Sequence, residues 1–317
     1  MNWRNAMEVA LYGPRGFFTS GAGPAAHFRT SVHASPIFAA AVLRLLAHLD
    51  EALGRPDPFD VVDVGAGRGE LLCALAAAAD PALAARLRLT AVELAPRPSD
   101  LPAAIAWTDT PPWGVTGLMI ATEWLDNVPL DVACDGRYVT VDPTGAEALG
   151  ASITPADAAW LADWWPGDGP AEIGLTRDHA WAAAVATVAR GAALAVDYGH
   201  LRAARPAEGT LAGFRHGRPV PPVPDGTCDL TAHVAIDAVA AAGGRPYSLV
   251  SQRTALTALG VSGARPPLTL ATTDPAGYVR ALAAASTAGE LLDPSGLGGH
   301  WWLLHPVGVP LPWDDEA

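Results

Sequence analysis

The stretch Phe59-Asp60-Val61-Val62-Asp63-Val64-Gly65-Ala66-Gly67-Arg68-Gly69-Glu70 constrains the fold more than any other part of the chain. Val61, Val62 and Val64 are β-branched, and Asp63 interrupts them with a single acid. Such a run is expected of a parallel strand covered on both faces. Gly65, Gly67 and Gly69 then alternate, so the backbone turns tightly there and lets a ligand approach closely. Leu71, Leu72 and Leu75 supply the inward face of a helix that starts near Glu70. A strand, a glycine loop and a helix in this order predict an α/β fold on a parallel sheet.

Two cofactor classes use such a unit. The dinucleotide fingerprint places its third glycine five residues after the first and leaves a helix N-terminus open to pyrophosphate. Here Gly69 follows Gly65 by four residues, and Asp63 precedes Gly65 by two. A carboxylate at that place repels a pyrophosphate and suits an ammonium-bearing ligand. The pattern D-x-G-x-G-x-G is that of S-adenosylmethionine (SAM)-dependent methyltransferases, whose acid helps to hold the methionine moiety. Glu93 ends the next apolar run, Leu87 to Val92, and is placed to accept hydrogen bonds from two ribose hydroxyls, a feature that NAD enzymes share. The spacing favours SAM; a dinucleotide loop and a glycine turn with no ligand are the other readings.

Composition removes further classes. The 317 residues suffice for a substantial core, and half are apolar. A net charge of −13 argues against binding nucleic acid, which calls for clustered Lys and Arg. All 20 basic residues are arginine, so lysine-based phosphate binding, Schiff bases and general bases are excluded. Cys73, Cys134 and Cys228 are isolated, and His200, His216 and His233 lack ligand spacing, so no metal site is expected. The longest apolar stretch, Ala180 to Val196, is broken by Arg190-Gly191, so no membrane span is expected either. With no secretory signal visible, the expected location is the cytoplasm.

Residues 1 to 58 read as an irregular lid segment to about residue 34, followed by a helix. That helix has a Ser35-Pro36 start, apolar positions from Ile37 to Leu49, and a stop at Gly54. Residues 59–130 and 192–309 form the predicted cofactor-binding domain. Its further strands are Leu87 to Glu93, Ala104 to Trp107, Gly117 to Ala121, Ala192 to Val196, Tyr247 to Val250 and Trp301 to Leu304. Residues 131–191 read as an inserted cap, with a hairpin turning at Asp135-Gly136, a short helix carrying Trp160, Trp164 and Trp165, and a helix capped by Asp178. Leu201 to Cys228 reads as a long loop and Asp229 to Val234 as the start of a helix; 310–317 is expected to be a frayed tail. In open parallel sheets ligands bind beyond the carboxyl ends of the strands. Asp63, Glu93, Asp109 and Glu123 all fall at or just past such ends.

The chain resembles the MidA family of SAM-dependent methyltransferases, which includes a mitochondrial complex I assembly factor that methylates an arginine. The resemblance is carried by Gly16-Phe17-Phe18-Thr19-Ser20, Val61 to Leu71, Ala121 to Pro129, Ala195-Val196-Asp197-Tyr198-Gly199, Gly209-Thr210-Leu211 and Asp229 to Val234. Thr122 and Asn127 replace the family's usual Asn and Ala, while Glu123, Asp126 and Pro129 are kept; Phe38-Ala39-Ala40 lacks the family's glycine and acid. The resemblance implies a class I methyltransferase fold, with a seven-stranded, mostly parallel sheet and inserted segments over the site. It implies SAM bound by Asp63, Gly65, Ala66, Gly67, Gly69, Glu93, Asp109 and Glu123. Methyl transfer to a guanidinium wants carboxylates that orient the cation and take up its proton. Glu123 and Asp126 are the candidates, with Asp197 and Tyr198 at the end of the fifth strand. The expected partner is an arginine-bearing protein or a small-molecule acceptor, with a homodimer as an allowed assembly. A SAM-binding assembly factor without turnover is the third reading.

Overall fold

The computed structural model describes residues 1–20 and 36–310. Its centre is a seven-stranded sheet: β1 (Phe59–Val64), β2 (Leu87–Val92), β3 (Ile105–Thr108), β4 (Val115–Thr122), β5 (Val188–Asp197), β6 (Ser248–Ser251) and β7 (Trp301–Val307). The spatial order is β6-β7-β5-β4-β1-β2-β3. Neighbours from β5 through β3 pair parallel, and β7 pairs antiparallel with both β5 and β6. This is the mostly parallel, Rossmann-like sheet expected of the class.

Every residue of β1 is buried, and successive residues enter opposite layers. Phe59 and Val61 join a core with Phe38, Val42, Leu45 and Leu49 of α1 (Pro36–Ala52) and Leu71, Leu72 and Leu75 of α2 (Glu70–Ala78). Val62 and Val64 join the other layer, with Trp181 and Val185 of α3 (Leu175–Ala186) and Ile236 and Val239 of α4 (Ile236–Ala242). Each fully buried Leu or Phe contributes about 1.5–3 kcal/mol relative to exposure, so these stripes, rather than helix propensity, hold the layers to the sheet.

Register then places the chemistry. Val64 lies opposite Val92 on one side and Ala121 on the other, and Ala121 lies opposite Ala195. The carboxyl ends of β2, β1, β4 and β5 are therefore level, and the residues following them form one row. Because β7 runs the other way, with Trp301 opposite Asp197, its start comes to the same edge.

Five sequence expectations change. Residues 3–12 are helical, with Trp3–Met7 continuing as a wider π turn over Glu8–Tyr12, and Trp3, Met7 and Leu11 are buried. Their stripe docks on Leu130, Val132, Val139 and Leu230, which outweighs the irregular composition. Asp178 sits inside the first turn of α3 and caps nothing; it accepts the Trp160 indole N–H at 2.6 Å. Asp229–Thr231 is a strand, because it pairs with Ala212–Arg215, and the helix begins only at Ile236. The Leu201 to Cys228 segment contains that strand and its partner Arg218–Val220. Strands at 131–134, 137–141, 147–152 and 171–173 form a separate small sheet, whereas α3, assigned to the insert from sequence, packs on the central sheet. The predicted Asp135-Gly136 turn joins two of those strands, with φ of 50° and 69°. Ser35, the Gly/Pro/Ala segment at 21–34 and residues 311–317 lie outside the described residues. No helix among the described residues is long and apolar enough to cross a membrane.

Candidate active site

A cavity of about 730 Å³ opens over the carboxyl ends of β1, β2 and β4. At one end Gly65 and Gly67 have φ of 72° and 59°, the left-handed region that glycine enters without cost. A Cβ at Gly65 would stand 2.9 Å from the Trp124 ring, and one at Gly69 would stand 2.7 Å from Leu101, so the loop is seated by close approach. Gly65 N–H and Ala66 N–H donate to Val92 O at 3.0 and 3.3 Å. The Glu93 carboxylate accepts from the N–H of Gly67, Leu94 and Ala95 at 3.1, 2.7 and 3.1 Å. It therefore fixes the loop as well as facing the cavity. Asp109 and the 78% exposed Trp113 line the outer rim.

Asp63 is 4% exposed and off the cavity wall, on the α2 side of β1. Burial, with Glu70 and Glu93 nearby, pushes its carboxyl up to about 8. Of the predicted cofactor residues, Gly65, Gly67, Glu93, Asp109 and Glu123 line the cavity, and Asp63, Ala66 and Gly69 stand behind it.

The other end is acidic. Glu123 closes β4 with φ of 51°, and its N–H donates to Val196 O at 2.8 Å. Leu125–Asn127 forms a single 3₁₀ turn. Asp126, 3% exposed, accepts through Oδ2 from the Tyr198 hydroxyl and from Thr231 Oγ1 at 2.7 Å, while its buried Oδ1 has no partner. Burial and the Asp126 charge push the Tyr198 hydroxyl well above the ordinary tyrosine range. Asn127 Nδ2 donates to Asp229 Oδ1 at 2.8 Å, and burial beside Asp126 raises the Asp229 carboxyl. Glu123, Asp126, Tyr198, Asp229 and Thr231 share this wall with Tyr12, whose hydroxyl donates to Asn127 O at 3.3 Å.

Asp197 does not join them. Its Oδ2 accepts from the N–H of Leu125 and Asp126 at 2.9 and 3.4 Å, its Oδ1 accepts from Tyr198 N–H at 3.0 Å, and it is absent from the cavity wall. It ties the acidic turn to β5.

Sequence reading missed Arg177. Its guanidinium, 1% exposed, donates to the carbonyls of Val128 at 3.1 Å, Ala232 at 2.9 Å, His233 at 3.1 Å and Asp126 at 2.5 Å. One side chain thus joins the β4 turn to the 231–233 segment. The clue was its spacing with Trp181, Ala184 and Val185, which puts Arg177 on the apolar stripe of α3. The Gly209-Thr210-Leu211 motif also acquires a role, since the buried Glu172 accepts from Leu211 N–H at 2.6 Å and from both the N–H and the hydroxyl of Thr210. Among the described residues no group of three His, Cys, Asp or Glu is arranged to hold a metal ion.

Residues 41–254 match a family profile described as "Putative S-adenosyl-L-methionine-dependent methyltransferase". Among solved structures, the chain is similar to a "likely methyl transferase from Burkholderia thailandensis bound to S-adenosyl-homocysteine". The identity is 26% and the TM-score 0.79, covering 98% of this chain and 89% of that one. A native structure of an uncharacterized protein, also from Burkholderia thailandensis, is 25% identical with a TM-score of 0.76, covering 98% and 88%. No curated protein matches.

Proposed function

The chain belongs to this family of SAM-dependent methyltransferases, and from that premise we propose that it transfers the methyl group to a nitrogen of a protein side chain, with an arginine guanidinium as the acceptor. The observation that carries the reading is the acidic end of the cavity, where the buried Asp126 Oδ1 has no partner beside Glu123 and Asp229. A buried carboxylate oxygen without a donor is costly, and a planar cation with several N–H groups supplies donors and charge together.

The residues suit SAM. The glycine loop leaves room where a side chain would strike Trp124, and the cavity wall beside it carries carboxylates and no arginine. Glu93 would hold the ribose and Asp109 the adenine edge, and Asp63 supports the loop that receives the methionine end. When bound, SAM supplies an electrophilic methyl group on a sulfonium.

On the acceptor side, Glu123 and Asp126 orient the guanidinium, and one of them takes the proton that leaves the nitrogen as its lone pair attacks. Tyr198 and Thr231 hold Asp126 in place through Oδ2, which leaves Oδ1 for the acceptor. Asp197 and Arg177 act as positioning residues by fixing the backbone of the turn. Tyr12 and Phe18 close the wall and keep water from the site.

The test is incubation of the protein with tritiated SAM and cell lysate, followed by amino-acid analysis of the labelled proteins. Label on arginine that is lost in Asp126→Asn, with SAM affinity retained, supports the reading. Label confined to the small-molecule fraction would assign a small acceptor instead, and SAM binding without transfer would leave an assembly role.

A further inference from the structure

His300 belongs to none of the roles above, yet it sits at the acidic end. Its backbone is pinned from both sides: its N–H donates to Leu297 O at 3.1 Å, and its carbonyl accepts from Gln252 N–H at 2.7 Å. Gln252 is itself fully buried, donating to Leu297 O and accepting from the Trp302 indole. The antiparallel course of β7 brings this fixed residue beside the end of β5. Its side chain is 11% exposed, and the ring packs 5.5 Å from that of Tyr198. Nδ1 is buried without a hydrogen-bond partner and lies 3.9 Å from Glu123 Oε1.

We propose that His300 is the positioning partner of Glu123: its Nδ1–H donates to the Glu123 carboxylate and sets which oxygen faces the methyl acceptor. The direction of the bond follows from the surroundings. Burial pushes the ring down to about 4, so at neutral pH the imidazole is uncharged and carries one N–H. A buried N–H without an acceptor is costly, and a carboxylate one small rotation away is the strong acceptor on offer. A neutral donor also leaves Glu123 its full charge, as orienting a cation requires. The inference rests on reading Glu123 as the carboxylate that faces the acceptor, but its test does not need methyl transfer.

The measurement is the imidazole ¹⁵N spectrum of the full chain, labelled at histidine, with S-adenosyl-homocysteine added. The protein has nine histidines, and the His300 signals are assigned by their disappearance in His300→Asn. The expected result is the neutral Nδ1–H tautomer in the wild type, reverting to the commoner Nε2–H form in Glu123→Ala. In Glu123→Gln, which keeps the shape of the side chain and covers the case in which the alanine variant does not fold, the Nδ1–H proton should move upfield. An Nε2–H tautomer in the wild type, or Nδ1 signals indifferent to both substitutions, would overturn the proposal. Loss of SAM binding or of transfer in separate assays bears on the methyltransferase reading and leaves this result standing.

Discussion

Replacing Arg177 by methionine separates the architecture of the acceptor wall from that of the cofactor loop. Methionine fills most of the volume of the arginine stem, so the cost comes from the four carbonyls its guanidinium serves. Asp126 O keeps a second donor, Ala232 N–H at 3.2 Å, which leaves Val128, Ala232 and His233 without theirs. Ala232 O is buried and the other two are partly so; at about 1–3 kcal/mol for each fully buried orphan, simple counting gives at most on the order of 3–9 kcal/mol. Against this, removing a buried cation returns a desolvation cost of several kcal/mol. Arg177 is ligated by carbonyl dipoles rather than by a carboxylate, so its deletion strands no opposite charge in direct contact, and the lower part of the range applies. The expected loss is about 3 kcal/mol, a fall in Tm of roughly 4–5 °C for a chain of 317 residues. Urea unfolding and thermal scans read the stability, and calorimetry with SAM reads the cofactor end, which should keep its affinity within a few-fold. Methyl transfer should drop with the disordered turn. A variant that unfolds within about 0.5 kcal/mol of the wild type would refute the bridging role, as would one whose SAM affinity collapses while transfer per bound SAM is unchanged.

Three other outcomes follow from single residues. Asp63 is held at about 8 in the folded chain, so its folded form keeps a proton that the unfolded chain releases near 4. Its contribution to stability is present below that value and declines by about 1.4 kcal/mol per pH unit as the pH rises toward 8. Asp63→Asn should gain on the wild type between urea titrations at pH 5 and pH 8, and an equal difference at both would count against it. Gly65→Val combines a strained positive φ with a Cβ 2.9 Å from Trp124, and should cut SAM affinity at least tenfold by calorimetry with little change in overall fold by circular dichroism. His305 is fully buried, and burial lowers it to about 4. The unfolded chain takes up a proton there below about 6.5, so stability is lost as the pH falls from 6.5 through 4. His305→Leu should flatten that acid limb, as seen by thermal unfolding at pH 4.5 and 7.

The glycine loop and the parallel strands were legible because their signals are local. Val61, Val62 and Val64 around a single acid, followed by three alternating glycines, admit few backbone solutions, whatever surrounds them. Strand-end acids were legible for the same reason, since the sheet rule fixes where a strand's last residue goes. What stayed hidden depends on contacts across the chain. Asp229 to Val234 carries a plausible cap and no β signal, and it became a strand only because Ala212–Arg215 offered an edge. Trp3, Met7 and Leu11 have helical spacing, but two turns do not hold in water without the insert to dock on. Asp197 stands at a strand end like the other acids, and only the three N–H groups aimed at it reveal that it is an anchor. Arg177 and His300 meet their partners across 51 and 177 residues of chain, separations that no spacing pattern reports.

The docking of residues 3–12 has a consequence for how the protein is made. Trp3, Met7 and Leu11 are covered by Leu130, Val132 and Leu230, and Tyr12, on the acidic wall of the cavity, donates to Asn127 O. A ribosome adds about 5–20 residues per second, so the segment emerges before its partners and waits on the order of tens of seconds for the last of them. During that interval its apolar stripe is exposed, and the acidic end of the cavity lacks Tyr12. This helix is thus synthesised well before it can find its place.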